Sequence, residues 1–291
     1  MKSIYASIEC VWPAGAMLGE GPVYDARSGR LVWLDIKGLK LHAYEGANGL
    51  RRTWNLKQRL CSVDLAPEGW EPPPHFGRDT FLGCGDHGFG WISLESEHVV
   101  IESIVHPEAD LPNNRFNDGK IGPDGRYWAG TMDDIETAAT GSLYAFSRDG
   151  SWSRLDTGYR VTNGPAFSPD GRTVYHTDSA LQTIYAFDLT LGGALTDKRV
   201  FHQFAEGEGY PDGMTCDAEG CIWIAMWDGH RIEKLSANGE RLGSVAMPVA
   251  RPTSCAFSTS DQNLLFVTSA AIGSPQGDAT AGSLLSVRLS T

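Results

Sequence analysis

Six stretches of the chain share one pattern: a turn, then a run of apolar, aromatic and β-branched residues with little polar interruption. They read SGRLVWLDI (28–36), GRDTFLGCG (77–85), DGRYWAGTM (124–132), DGRTVYHTD (170–178), EGCIWIAMW (219–227) and DQNLLFVTS (261–269), starting 42 to 49 residues apart. A further short strand follows each, in KLHAY, FGWISL, GSLYAF, QTIYAF, HRIEKL and GSLLSV. Five are followed by one more, in RTWNL, VVIESI, SWSRL, KRVFHQF and RLGSVAM. A recurrence at this period marks a repeat architecture, and the Gly, Asp and Asn turns between short strands make it all-β. A short glycine-rich strand precedes the turn, as in GKIG, GPAFS and GMTCD. Each unit then holds four antiparallel strands, and six units predict a six-bladed β-propeller. The last unit lacks its outer strand. SIECVW at residues 7–12 is a suitable substitute, so the ring is expected to close by the N-terminal strand joining the last blade. EGWEPPPHFG (68–77) reads as a long hairpin loop, and residues 1–291 are expected to form one domain.

Within this register four oxygen-bearing side chains hold one place. Asn117, Asn163 and Asp212 stand eight residues before the turn glycines Gly125, Gly171 and Gly220, and Glu20 stands nine before Gly29. A single Asp-Gly or Asn-Gly pair is ordinary turn chemistry, but a turn has no reason to fix its acid so far ahead of another. Equivalent positions in a propeller are related by the ring's rotation, so the four are expected to converge on one mouth of the central channel. The matching places in the other two blades hold small residues, Cys61 or Ser62 and Thr253 or Ser254. Two neighbouring carboxylates repel unless a cation lies between them or one keeps its proton. A bound divalent cation resolves this. An all-oxygen set with a carboxamide suits Ca2+, Mg2+, Mn2+ or Fe2+ better than structural zinc, and Zn2+ stays among the candidates. Three or four protein ligands leave positions open for water and substrate, as a catalytic ion needs.

Composition narrows the partners. With 36 acidic against 24 basic residues the formal charge is −12, which argues against nucleic acid. No apolar run approaches the roughly 18 to 20 residues of a membrane span, and the start MKSIYASIECVWPAGAM lacks the apolar core of a secretory signal. The six cysteines show no C-x-x-C pair or zinc-like spacing with His. Cys216 and Cys221 flank one turn and could face each other, but a reduced, cytoplasmic chain is the simpler reading. A monomer or small homo-oligomer is expected.

LGEGPVYD, NNRFNDGKIGPDGRYWAGTM, VTNGPAFSPDG, YPDGMTCDAEGCIWIAMWDG and RPTSCAF resemble the SMP-30/gluconolactonase/regucalcin family over nearly the whole chain and in the same order. That resemblance implies a six-bladed propeller with one divalent cation in its channel, hydrolysing a sugar lactone (an aldonolactone) to its aldonic acid. It implies metal ligands at Glu20, Asn163 and Asp212 and substrate contacts at Arg115 and Asn117. The family often has an acidic substrate contact soon after GTM. Here GTMDDIETAATGSLY offers Asp134 or Glu136, and the choice stays open. In the mechanism that follows, the cation polarises the lactone carbonyl, water attacks, and Asp212 is the candidate general base as well as a ligand. Arg115 orients the sugar.

Other chemistries find little footing. A serine-nucleophile reading has no G-x-S-x-G to rest on, and no Gly-rich phosphate loop occurs. His176 in VYHTDS is expected to be a satisfied core or channel residue. An esterase or phosphotriesterase on the same metal site is a rival activity, and a calcium-binding or interaction propeller without catalysis is a rival class.

Overall fold

The computed structural model describes residues 2–274 and 278–290. Its strands form six four-stranded antiparallel sheets. Five sheets are built in chain order from consecutive strands, spanning residues 19–55, 60–105, 114–159, 162–203 and 210–246, here blades 1 to 5. Blade 6 takes three strands from residues 252–289, and its outer strand is Ala6–Trp12, which pairs antiparallel with Leu284–Leu289. The innermost strand of every blade touches that of the next, including blade 6 with blade 1. The fold is therefore the expected six-bladed β-propeller, closed by the N-terminal strand.

The apolar runs follow from this stacking. A blade's middle strands are covered on both faces by neighbouring blades, so alternation disappears, and every residue of Thr80–Gly85, Gly88–Leu94, Tyr127–Asp133 and Gly141–Phe146 is buried. Outer strands have one wet face: Leu50–Asn55 is exposed except at Trp54. Phe89 of blade 2 lies between Phe116 and Phe146 of blade 3, with ring centroids 4.8 and 5.0 Å away. Burying one such ring contributes roughly 2–3 kcal/mol. The Pro-rich loop of blade 2 docks on blade 3 through Trp70, whose ring meets Phe146 and whose Nε1 donates to the Gly125 carbonyl at 3.1 Å.

Each innermost strand starts at one mouth of the channel and runs to a turn at the other end. Near that mouth its pairing with the second strand breaks in all six blades: between Glu20 and Val23, Leu60 and Ser62, Phe116 and Gly119, Asn163 and Ala166, Pro211 and Met214, and Pro252 and Ser254. An irregularity of this kind bends the strand and re-aims its side chains. Blades approach closely there: a Cβ added to Gly213 would lie 2.9 Å from the Thr253 carbonyl oxygen of the next blade, in keeping with the glycines that four of the six innermost strands carry.

Candidate metal centre

Every strand break falls on or beside a residue singled out above, and in four blades it accompanies a polar side chain that lines the channel mouth. Glu20, Arg115, Asn117, Asn163 and Asp212, from four blades, line one cavity of about 550 Å³ at the channel mouth. All five side chains are buried in the walls, at most 9% exposed. In the remaining blades, Cys61 is buried, and Thr253 spends its hydroxyl on the Gly19 carbonyl and on Thr268.

Hydrogen bonds fix which atoms face the cavity. Asn163 Nδ2 donates to Ser179 Oγ at 2.9 Å, and Ser179 Oγ donates to the Pro211 carbonyl at 2.6 Å. Asn163 Oδ1 is thus held inward, accepting among the described residues only from Asn117 Nδ2 at 3.2 Å. Asn117 Nδ2 also reaches the Thr162 carbonyl at 2.6 Å, while its Oδ1 accepts from Arg115 Nη1 at 2.7 Å. Arg115 Nη1 donates to the Phe116 carbonyl as well, Nε donates to Asp134 Oδ1 at 2.7 Å, and the guanidinium also meets the Cys61 side chain. Asp134 does not line the cavity. It bridges Arg115 and Arg59, 2.8 Å from Arg59 Nη1, and although burial acts against it these two guanidiniums hold its carboxyl below the usual range. Glu136, two residues on and in the left-handed region (φ 60°), does line the cavity.

The two carboxylates are treated alike. Glu20 Oε2 accepts from the Gly21 amide at 3.1 Å and Asp212 Oδ1 from the Gly213 amide at 3.0 Å, and neither has an ion-pair partner among the described residues. Burial, and then repulsion from Asp212 and from Asp118, pushes the Glu20 carboxyl well above its ordinary range. Burial and Asp118 do the same to Asp212. Asp118, the acid of an Asp-Gly pair that no sequence pattern singled out, is itself buried and raised to about 6 by that burial. Its oxygens accept from the Gly119 and Gly164 amides at 2.7 and 2.9 Å, tying blade 3 to blade 4.

Among the described residues no three His, Cys, Asp or Glu side chains gather to hold an ion. A centre made of two carboxylates and a carboxamide oxygen is of a different composition, and this donor set fits a hard divalent cation. Buried acids lacking a counter-charge are what such an ion would neutralise.

His176 is buried, edge-on to Tyr159 at 4.8 Å, and burial lowers it to about 3. Contrary to expectation, neither ring nitrogen meets a hydrogen-bond partner among the described residues. It is a neutral residue between blades. All six cysteines are free thiols, and no described helix is long and apolar enough to cross a membrane.

The sequence profile of the SMP-30/Gluconolactonase/LRE-like region matches residues 18–271. Regucalcin of Gallus gallus is 34% identical over 273 residues, covering 91% of this chain and 87% of its own. A 6-deoxy-6-sulfogluconolactonase of Pseudomonas putida is 31% identical over 264 residues, covering 90% and 87%. Among solved structures, regucalcin from Agrobacterium tumefaciens, described as a calcium-binding protein, superimposes with a TM-score of 0.89 at 26% identity, over 99% of this chain and 96% of that one. With its fold, its strand register and these likenesses in agreement, the chain belongs to the SMP-30/gluconolactonase/LRE-like family.

Proposed function

We propose that the protein is a metal-dependent sugar lactonase, hydrolysing an aldonolactone to its aldonic acid. The observation that carries this reading is the floor of the cavity, where Glu20 and Asp212 lie buried with no ion-pair partner among the described residues, beside an inward carboxamide oxygen of Asn163. Those three residues would hold one divalent cation, with Ca2+, Mn2+, Mg2+, Fe2+ and Zn2+ as candidates. When bound, the cation supplies Lewis-acid polarisation of the lactone carbonyl and lowers the pKa of water.

The chain's own groups do the rest. Arg115 is clamped by Asp134 and Asn117 and lines the cavity, so its guanidinium is held in a fixed plane to orient the substrate's ring oxygen or hydroxyls. Asp212 Oδ2, left free by the single bond from Gly213, takes the proton of the attacking water. The water oxygen bonds to the carbonyl carbon, the ring C–O bond breaks, and the proton ends on the released hydroxyl. Asn117 positions Arg115 and Asn163 together, and Trp227, Tyr210 and Ile272 give an apolar wall for a sugar face. A relative named for a sugar lactone supports the substrate class.

The test is acid release from five- and six-carbon aldonolactones by protein stripped with chelator and resupplied with each ion in turn. Metal-restored hydrolysis is expected. Tight metal binding without turnover of any lactone would overturn the lactonase and leave a binding propeller.

A further inference from the structure

The cavity's charge runs against that of the chain. Overall, acidic residues outnumber basic ones 36 to 24, yet the cavity lining carries four cations against three carboxylates. With Arg115 and Arg251 matched by acids outside the lining, two cations face three carboxylates, and a divalent cation on the floor would carry the balance above neutral. Two of the four cations are committed: Arg115 to Asp134, and Arg251 to Asp228 at 2.6 Å. Lys37 and Arg160 are not. Their side chains have no ion-pair or hydrogen-bond partner among the described residues. Lys37 stands on the hairpin loop after Arg30–Asp35, and Arg160 on the connection between Trp152–Tyr159 and Thr162–Phe167. Both loops form the outer mouth, above the floor where the carbonyl end would lie. Lys37 also lines an adjoining cleft that holds Lys57, a second cation with no partner among the described residues.

We infer that the preferred substrate is a sugar lactone bearing an anionic group, a phosphate or sulfonate, at the end of the carbon chain remote from the lactone carbonyl, received by Lys37 and Arg160. The inference rests on the lactonase reading and adds the substrate's charge to it. Cations without a partner attract an oxyanion at long range and then bond it directly. A neutral sugar would leave their charge unused.

The experiment compares kcat/KM for glucono-δ-lactone with that for its counterparts carrying phosphate or sulfonate on carbon 6, at low and high salt. The charged lactones should be favoured by on the order of tenfold or more, and the advantage should shrink as salt screens the mouth. Which anion ranks higher distinguishes phosphate from sulfonate. Lys37→Ala and Arg160→Ala should each reduce the charged-to-neutral ratio. Arg172→Ala, at the opposite end of the propeller beside the turn that starts Thr173–Asp178, should leave that ratio as it is. Turnover of the neutral lactone with no preference for the charged ones would overturn the inference and spare the lactonase. No turnover of any lactone would overturn both.

Discussion

Glu20 and Asp212 can be set beside Asp35 and Asp178, carboxylates that end the second strands of blades 1 and 4 near the same mouth. All four are hidden, between 1% and 7% exposed. Asp35 accepts from the amides of Met17, Leu18 and Gly38 at 2.8 to 3.0 Å, and Asp178 from those of Arg160 and Val161 at 3.0 and 3.4 Å. These aspartates fasten the chain entering a blade to the hairpin beside it. Glu20 and Asp212 receive one local amide each and, among the described residues, no ion pair. Burial alone does not separate a structural acid from a functional one; unused acceptor capacity does, because a saturated carboxylate has nothing left to offer a ligand.

The largest effects expected are opposite in kind for the two classes. Asp212→Ala should lower metal-supported kcat/KM on the order of 10³-fold or more, since it removes a ligand and the base together. In chelator its unfolding midpoint should hold or rise, because an uncompensated buried acid has gone. Asp35→Ala should do the reverse, orphaning three amides at about 1 kcal/mol or more each, so that stability falls by about 3 kcal/mol while the protein still folded turns over. Paired urea titrations and lactone assays read both. Equal loss of stability in the two variants would dissolve the distinction.

A smaller effect is expected from pH on the chelated protein. Glu20, Asp212 and Asp118 have carboxyls raised above their ordinary range, Asp118 to about 6. Between the ordinary carboxylate range and these raised values the folded state binds more protons than the unfolded, so stability should decline as pH rises from about 4 through 6. Saturating metal should reverse the slope, since it binds the ionised forms. Asp133 behaves oppositely: amides of Ala138 and Thr137 hold its carboxyl low, so its contribution fades only as pH falls below the usual range. Denaturation midpoints from pH 4 to 7, with chelator and with calcium, give the slope. An unchanged sign on adding metal would remove the cation from this floor.

Much of this was legible in the residues because a propeller repeats its geometry. Blades covering both faces of the middle strands leave near-continuous apolar runs, and the eight-residue interval from Asn163 to Gly171 is the length of the innermost strand with its turn. The substitute outer strand was legible too, starting one residue earlier than quoted, at Ala6. What stayed hidden depends on contacts between blades. Asp118 looks like any Asp-Gly pair until its oxygen is found on the Gly164 amide of the next blade. Ser179, which orients Asn163, and the mouth cations Lys37 and Arg160 lie in loops, where no strand period says which way a side chain points.

The smallest effects separate Asp134 from Glu136, the two acids left open after GTM, and they apply the same criterion to one hairpin. Asp134 is spent on Arg59 and Arg115, whereas Glu136 lines the cavity with no partner among the described residues. An acid that touches substrate changes how tightly the substrate is held; one that only braces Arg115 changes how well the bound substrate is aligned. Glu136→Gln should therefore raise KM several-fold with kcat nearly unchanged, a hydrogen bond to a charged group being replaced by a neutral one. Asp134→Asn should lower kcat by a similar factor and leave KM close to its starting value, because Arg115 loses the partner that sets its plane. Lys substituted for Arg115 should not respond to Asp134→Asn in this way, since an ammonium has no plane to set. If instead Asp134→Asn moved KM and Glu136→Gln moved neither constant, the hairpin would have to turn on substrate binding and exchange the two acids, making the saturated one the contact.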